Sequence, residues 1–278
     1  STFVFPSTST NMVWYSSHSG FNLAAIQGTA FDQPASGPGH AQNVTCSMSG
    51  GPGGWPGASP NICAEEVEIQ DTGSGLCWNG SAFATTCGSA SAFRTMTVQG
   101  GRYSFDTQIG VGGGLWETMV TGGIYRARLR GKDAGVTSGG VWRPNTETPA
   151  AAPDCLTLPL GAYNARCFRV DKQAPTTVIS DPVHNTDITA PVAAINGTIT
   201  DAHSGPGKVF IAVCRDLAGA PDLTNCLSDL TGSANFTAPL TWFELPGTPW
   251  SLNTSAVTAW TTTIFYHVLA RSSDTVNN

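Results

Sequence analysis

Apolar and polar residues alternate with a period of two along much of this chain. Tyr125, Ala127 and Leu129 alternate with Arg126, Arg128 and Arg130, the pattern of a half-buried strand. Val209-Phe210-Ile211-Ala212-Val213 is a continuous apolar run and is expected to form a central strand. Phe168 and Val170, then Val178 and Ile179, flank the triplet Gln173-Ala174-Pro175. Pro175 has no amide to give to a sheet ladder and belongs at a strand edge or a linker. The residue before a proline is pushed away from helix, so the triplet reads as an extended joint between two strands. Gly-Pro, Asn-Gly and Ser-Gly signals separate the apolar runs. Short strands with regular turn signals predict an all-β chain built as β-sandwiches.

The second level of pattern is repetition. Thr2-Phe3-Val4-Phe5-Pro6 resembles Thr177 to Pro182, and Ile26-Gln27-Gly28-Thr29-Ala30-Phe31-Asp32 matches Ile195 to Asp201. Ser36 to Gly39 matches Ser204 to Gly207, and Tyr103 to Asp106 resembles Trp250 to Asn253. Ile124 to Asp133 resembles Phe265 to Asp274. Matches in one order predict two copies of one domain, each of roughly seven strands. The first copy spans 1–170, with long loop insertions at 48–60 and 137–164; the second spans 171–278. Copy one ends in a strand at Ala165 to Val170 that copy two does not repeat before Asn278. The expectation is a segment of a longer tandem array, or a terminal strand supplied by a neighbouring molecule.

Val67-Glu68-Ile69-Gln70-Asp71-Thr72-Gly73-Ser74-Gly75-Leu76-Cys77-Trp78-Asn79-Gly80-Ser81-Ala82-Phe83 resembles a hairpin of bacterial immunoglobulin-like repeats. Tyr103 to Asp106, Tyr125 to Gly135 and Val170 to Thr176 resemble later strands of that family and the start of its next repeat. Cys77 stands where the family carries tyrosine, and copy two keeps Thr231 to Phe236 without the aromatic before it. The resemblance implies two tandem immunoglobulin-like β-sandwiches. It also implies the family's usual setting, segments of large secreted or surface-anchored proteins.

The chain has 278 residues, eight of them cysteine. An even cysteine count suits an oxidising compartment. Zinc knuckles of the C-x-x-C kind are absent from the sequence. The expected disulfides are the sequential neighbours: Cys46 with Cys63, Cys77 with Cys87, Cys155 with Cys167, and Cys214 with Cys226. A formal net charge of −6 gives no sign of a nucleic-acid partner. No apolar run is long enough for a membrane-spanning helix.

Enzymatic readings find little support. Asp71-Thr72-Gly73 matches half of an aspartic-protease pair, but the sequence has no second such triplet, so it reads as a turn. There is no Gly-x-Ser-x-Gly elbow, and His18, His40, His184, His203 and His267 are scattered. Glu65, Glu66 and Glu68 read as a solvated strand face. Asp32, Asp133, Asp171 and Asp201, together with Asp274, fall at loops or at the joint and are calcium candidates; capping of Asx turns is the competing role. Asn43, Asn79, Asn196, Asn235 and Asn253 stand in glycosylation sequons.

Two function classes follow. One is an extracellular structural or adhesive repeat module, without enzymatic activity, that partners copies of itself, flanking repeats or surface glycans. It would build a surface filament, sheath or long adhesin head to tail. The alternative is a carbohydrate-binding module of a secreted enzyme, with Trp55, Trp78, Trp116 and Trp142 stacking on sugars. Exposed aromatics would favour the second class, and buried ones the first.

Overall fold

The computed structural model describes residues 2–5, 13–16, 23–29, 64–99, 102–109, 111–136, 142–146, 155, 165–188, 191–231 and 235–278. The chain is all-β and divides into two compact units, Ser1–Asp171 and Lys172–Asn278.

In the first unit the strands run β1 (Thr2–Phe5), β2 (Val13–Tyr15), β3 (Ala25–Thr29), β4 (Ala64–Asp71), β5 (Cys77–Trp78) and β6 (Phe83–Thr85). They continue with β7 (Phe93–Thr95), β8 (Thr97–Gln99), β9 (Arg102–Asp106), β10 (Ile124–Val136), β11 (Trp142–Thr146) and β12 (Ala165–Val170). One sheet has the order β1-β3-β9-β8. The other has the order β2-β12-β10-β4-β5-β6, with β7 also on β4 and β11 on β10. Strand β11 lies inside the 137–164 segment, so that segment is not loop throughout. The alternation of β10 is realised in space: Tyr125, Ala127 and Leu129 enter a core with Ile26, Val67, Ile69, Phe168 and Val170.

The second unit contains β13 (Thr176–Asp181), β14 (Ala194–Thr200), β15 (Pro206–Leu217), β16 (Ala220–Leu227), β17 (Phe236–Ala238), β18 (Phe243–Pro246), β19 (Trp250–Asn253) and β20 (Tyr266–Asp274). Strand β15 is central: it pairs with β16, β18 and β20, while β13-β14-β19 form the other sheet. Val209, Ile211 and Val213 point from β15 into a core with Ile195, Ile199, Phe236, Trp250 and Leu252.

The two units share details of register. In the first, Gly28 pairs with Tyr103, Gln27 with Ser104, Ile26 with Phe105 and Ala25 with Asp106. In the second, Gly197 pairs with Trp250, Asn196 with Ser251, Ile195 with Leu252 and Ala194 with Asn253. The next residue in each case is a buried threonine. Thr107 donates its amide to Ala24 O and its hydroxyl to Leu23 O. Thr254 does the same to Ala193 O and Val192 O. Each hydroxyl thus satisfies a carbonyl that the end of the sheet leaves without a ladder partner.

Candidate functional sites

Strand β4 and the turn after it carry the densest polar chemistry. Asp71 accepts hydrogen bonds from Gly73 N at 2.9 Å, Ser74 N at 3.3 Å and Ser74 Oγ at 2.7 Å. The carboxylate is committed to holding the β4–β5 turn, as an Asx turn requires. The acidic face of β4 is not the solvated face its sequence suggests. Glu66 and Glu68 are buried, and each faces an arginine of β10. Arg128 donates Nε to Glu68 Oε1 at 2.7 Å and also Nη2, while Gly88 N donates to the other oxygen of Glu68. Arg130 donates Nε to Glu66 at 2.6 Å and lies over the Phe93 ring at 3.4 Å. Arg126 donates to the Gln70 side-chain oxygen. Three rungs of complementary side chains therefore cross the β4–β10 ladder. Both buried carboxylates are paired to arginines, which fits a structural role.

Among the described residues three disulfides are present: Cys77–Cys87, Cys155–Cys167 and Cys214–Cys226. Cys46 and Cys63 lie outside the described residues. Glu68 lies close to the sulfurs of Cys77 and Cys87, but those sulfurs are bonded to each other and offer no thiolate to a metal. The bridges close short loops, with sequence separations of 10, 12 and 12. Loops of this size contribute about 3 kcal/mol each on the chain-entropy model. Mutation of the Cys214–Cys226 pair to alanines is expected to lower the urea midpoint of the second unit by a corresponding amount; an unchanged midpoint would refute this.

The histidines form no triad among the described residues. His267 Nε2 lies 2.7 Å from Asp216 Oδ1, on neighbouring strands β20 and β15. The carboxyl of Asp216 is held below its ordinary 3.8 first by that hydrogen bond and then by the Gly219 amide. A carboxyl depressed on folding stabilises the fold above its ordinary value, and the contribution disappears as pH falls through the lower folded value. A carboxyl-carbon NMR titration is expected to place Asp216 below 3.8, with its midpoint moving upward in His267→Ala. No movement would remove His267 as the cause.

Of the calcium candidates, Asp32 and the side chain of Asp133 lie outside the described residues. Asp171 is buried, and its amide donates to Tyr15 O at 2.9 Å. In the second unit Asp201 and Asp274 bring carboxylate oxygens within 4.8 Å of each other. Asp201 accepts from His203 N and Gly205 N, and Asp274 from Val276 N, Asn278 N and Asn278 Nδ2. Both carboxylates thus close their own loops.

Among the sequons, Asn79 accepts from Ser81 N and Ala82 N within its turn. Asn196 donates Nδ2 to Asp181 at 3.3 Å. Asn235 and Asn253 are exposed on the second unit, with their side-chain Oδ1 atoms accepting from Thr237 and from Ser255 respectively. Asn43 lies outside the described residues.

Trp78 and Trp116, expected as sugar platforms by the carbohydrate-binding reading, are both buried in the core of the first unit. Trp55 and the side chain of Trp142 lie outside the described residues. The described tryptophans of that set therefore serve packing, with Trp78 edge-on to Phe105 at 5.7 Å.

Taken together, these features define an all-β protein whose disulfides suit an oxidising compartment. No helix among the described residues is long and apolar enough to cross a membrane. No protein-family model, curated protein or solved structure matches the chain.

Proposed function

We propose that the chain is a pair of tandem immunoglobulin-like domains acting as an extracellular structural or adhesive module, a building unit of a surface filament, sheath or long adhesin assembled head to tail. The domain reading is supported by topology. The order β1-β3-β9-β8 is that of the A, B, E and D strands of an immunoglobulin sandwich, and β12-β10-β4 that of G, F and C. In the second unit β13-β14-β19 stand as A, B and E, and β15 with β20 as C and F.

The single observation that carries the reading is a tyrosine at the same place in both units. Tyr125 accepts a hydrogen bond on its hydroxyl from Val120 N at 2.7 Å, and Tyr266 accepts one from Thr261 N at 2.9 Å. Both tyrosines lie at the start of the F-equivalent strand, and both reach five residues upstream. A bond of this kind is what the tyrosine corner of immunoglobulin-like folds makes, and it supports the reading. Burial pushes the Tyr125 hydroxyl up to about 12, so it stays protonated as the neutral partner of this bond. Tyr125→Phe is expected to cost about 1–3 kcal/mol by leaving the Val120 amide unsatisfied. Chemical denaturation measures it, and a variant as stable as the parent would argue against the corner.

The span-and-stiffness role is supported by the disulfides, by the buried ion pairs between β4 and β10, and by the burial of Trp78 and Trp116. Electron microscopy of the purified chain over a range of concentrations tests it. Head-to-tail strings are expected; monomers at every concentration would sink the assembly reading.

A further inference from the structure

We propose that the outer sheet face of the second unit binds a glycan whose sugar rings carry carboxylates, and that Arg271 is the centre of the site. The inference rests on reading the second unit as a copy of the first, and it gives the adhesive reading a ligand class.

The first unit supplies the reference. Arg130 of β10 lies opposite Glu66 of β4, and Glu66 lies opposite Thr95 of β7. Phe93, two residues before Thr95, has the Arg130 guanidinium over its ring at 3.4 Å. Arg130 also donates Nε to Glu66 at 2.6 Å. The arginine is supported by an aromatic face and closed by a carboxylate of the same sheet.

The repeat match places Arg271 where the first copy has Arg130. Arg271 of β20 lies opposite Phe210 of β15, and Phe210 lies opposite Glu244 of β18. Trp242, two residues before Glu244, has its ring 4.5 Å from the Arg271 guanidinium. Trp242 therefore takes the place of Phe93, and Phe210 the place of Glu66. The aromatic support is kept and extended, because the Phe210 ring also lies 5.1 Å from the guanidinium. The carboxylate is gone.

The outer face leaves this arginine open. Ile211, Phe243 and Ala270 pack with the core, so Phe210, Glu244 and Arg271 point to the other side of the sheet. Arg271 is exposed and has no carboxylate partner among the described residues. Glu244 is paired with Lys208 at 2.6 Å. A guanidinium held against rings presents its planar fork of donors, which matches a carboxylate at two points. Holding it in advance reduces the freedom lost on binding.

The surroundings of the fork favour a sugar. Phe210 and Trp242 are half-buried, so part of each ring remains open to the C–H face of a pyranose. Lys208 and Glu244, with side chains 58% and 52% exposed, place a donor and an acceptor beside the rings. Sugar hydroxyls both donate and accept and suit such a mixed rim. The centres of protein interfaces are depleted in lysine and glutamate, which argues against an acidic peptide as the ligand.

The intact chain is titrated with oligogalacturonate and with oligomannuronate, and nitrogen-edited NMR follows the Trp242 indole N–H and the Arg271 Nε–H. At least one of the two oligomers is expected to give saturable shifts of both signals. The same oligomer with its carboxylates reduced to alcohols should bind about tenfold more weakly or worse, as for loss of a hydrogen bond to a charged group. Arg271→Gln should weaken the uronate to the level of its reduced form, and Trp242→Ala should weaken both. The comparison of uronate with reduced oligomer uses the unaltered chain, so a variant that failed to fold would not protect the proposal. The proposal is overturned if neither uronate shifts these signals, or if the reduced form binds equally well. It is also overturned if polyglutamate binds the same residues more tightly than the uronates do. Monomers under the microscope would sink the filament reading and leave the titration standing, whereas a silent titration with head-to-tail strings intact would sink this proposal alone.

Discussion

Glu68→Ala is expected to destabilise the first unit by about 3–5 kcal/mol, because it leaves a buried arginine without its counter-charge. The Glu68 side chain is 1% exposed and that of Arg128 is 12% exposed. Removing the carboxylate strips Arg128 of its acceptor and Gly88 of an amide partner at once. The same deletion on the solvent side gives the contrast. Lys208 and Glu244 approach within 2.6 Å, but their side chains are 58% and 52% exposed. Water screens that pair, and Glu244→Ala should cost less than about 1 kcal/mol. Urea denaturation of the two variants side by side decides the matter. Comparable small losses would mean that water reaches the Glu68 rung. Replacing both Glu68 and Arg128 by methionine should restore most of the loss, since a buried ion pair gains little over well-packed apolar groups.

That rung shows where sequence reasoning stops. The alternation of β10 states which residues share a face, and it does so because side chains on a strand alternate by geometry. It does not state what lies across from that face. Glu68 and Arg128 are 60 residues apart, and their meeting is fixed by the antiparallel register of β4 on β10. A strand with glutamates at every second position looks solvated until an arginine strand is laid beside it. The same limit applies to Asp216 and His267, 51 residues apart. Trp78 and Trp116 make the complementary point. An aromatic residue in a turn-rich stretch fits a sugar platform or a core equally well by type. One lies in a two-residue strand and the other in a four-residue helix, Leu115–Thr118, too short for any period to show. Local chemistry was more legible. The Asp-Thr-Gly-Ser turn is legible from its own residues, since the hydrogen bonds to the Asp71 carboxylate come from within three positions.

Repetition carried more long-range information than periodicity did, and Gly197 is where that information has the largest consequence. The sequence matches Ile26-Gln27-Gly28-Thr29 with Ile195-Asn196-Gly197-Thr198, and in space each glycine lies opposite an aromatic residue, Tyr103 or Trp250. The reason for glycine is room. A Cβ on Gly197 would stand 2.1 Å from Val178 O and 2.2 Å from Trp250 Cζ2. The first neighbour is backbone of β13, which pairs with β14 on one side, and the second is a buried indole beside β14 on the other. Neither can withdraw without opening a ladder or the core. Overpacking of a core costs about 1–3 kcal/mol, and more where the neighbours are fixed. Gly197→Ala is therefore expected at or above the top of that range, about 3 kcal/mol. Gly219 provides the control. Its φ is +91°, but a Cβ there meets nothing within 4 Å, so only backbone strain opposes alanine. Gly219→Ala should then cost about 1 kcal/mol, the usual penalty for a side chain at positive φ. Thermal and urea unfolding of both variants measure the difference. If Gly197→Ala were as mild as Gly219→Ala, crowding against the Trp250 ring and the β13 backbone would not account for the repeated glycine.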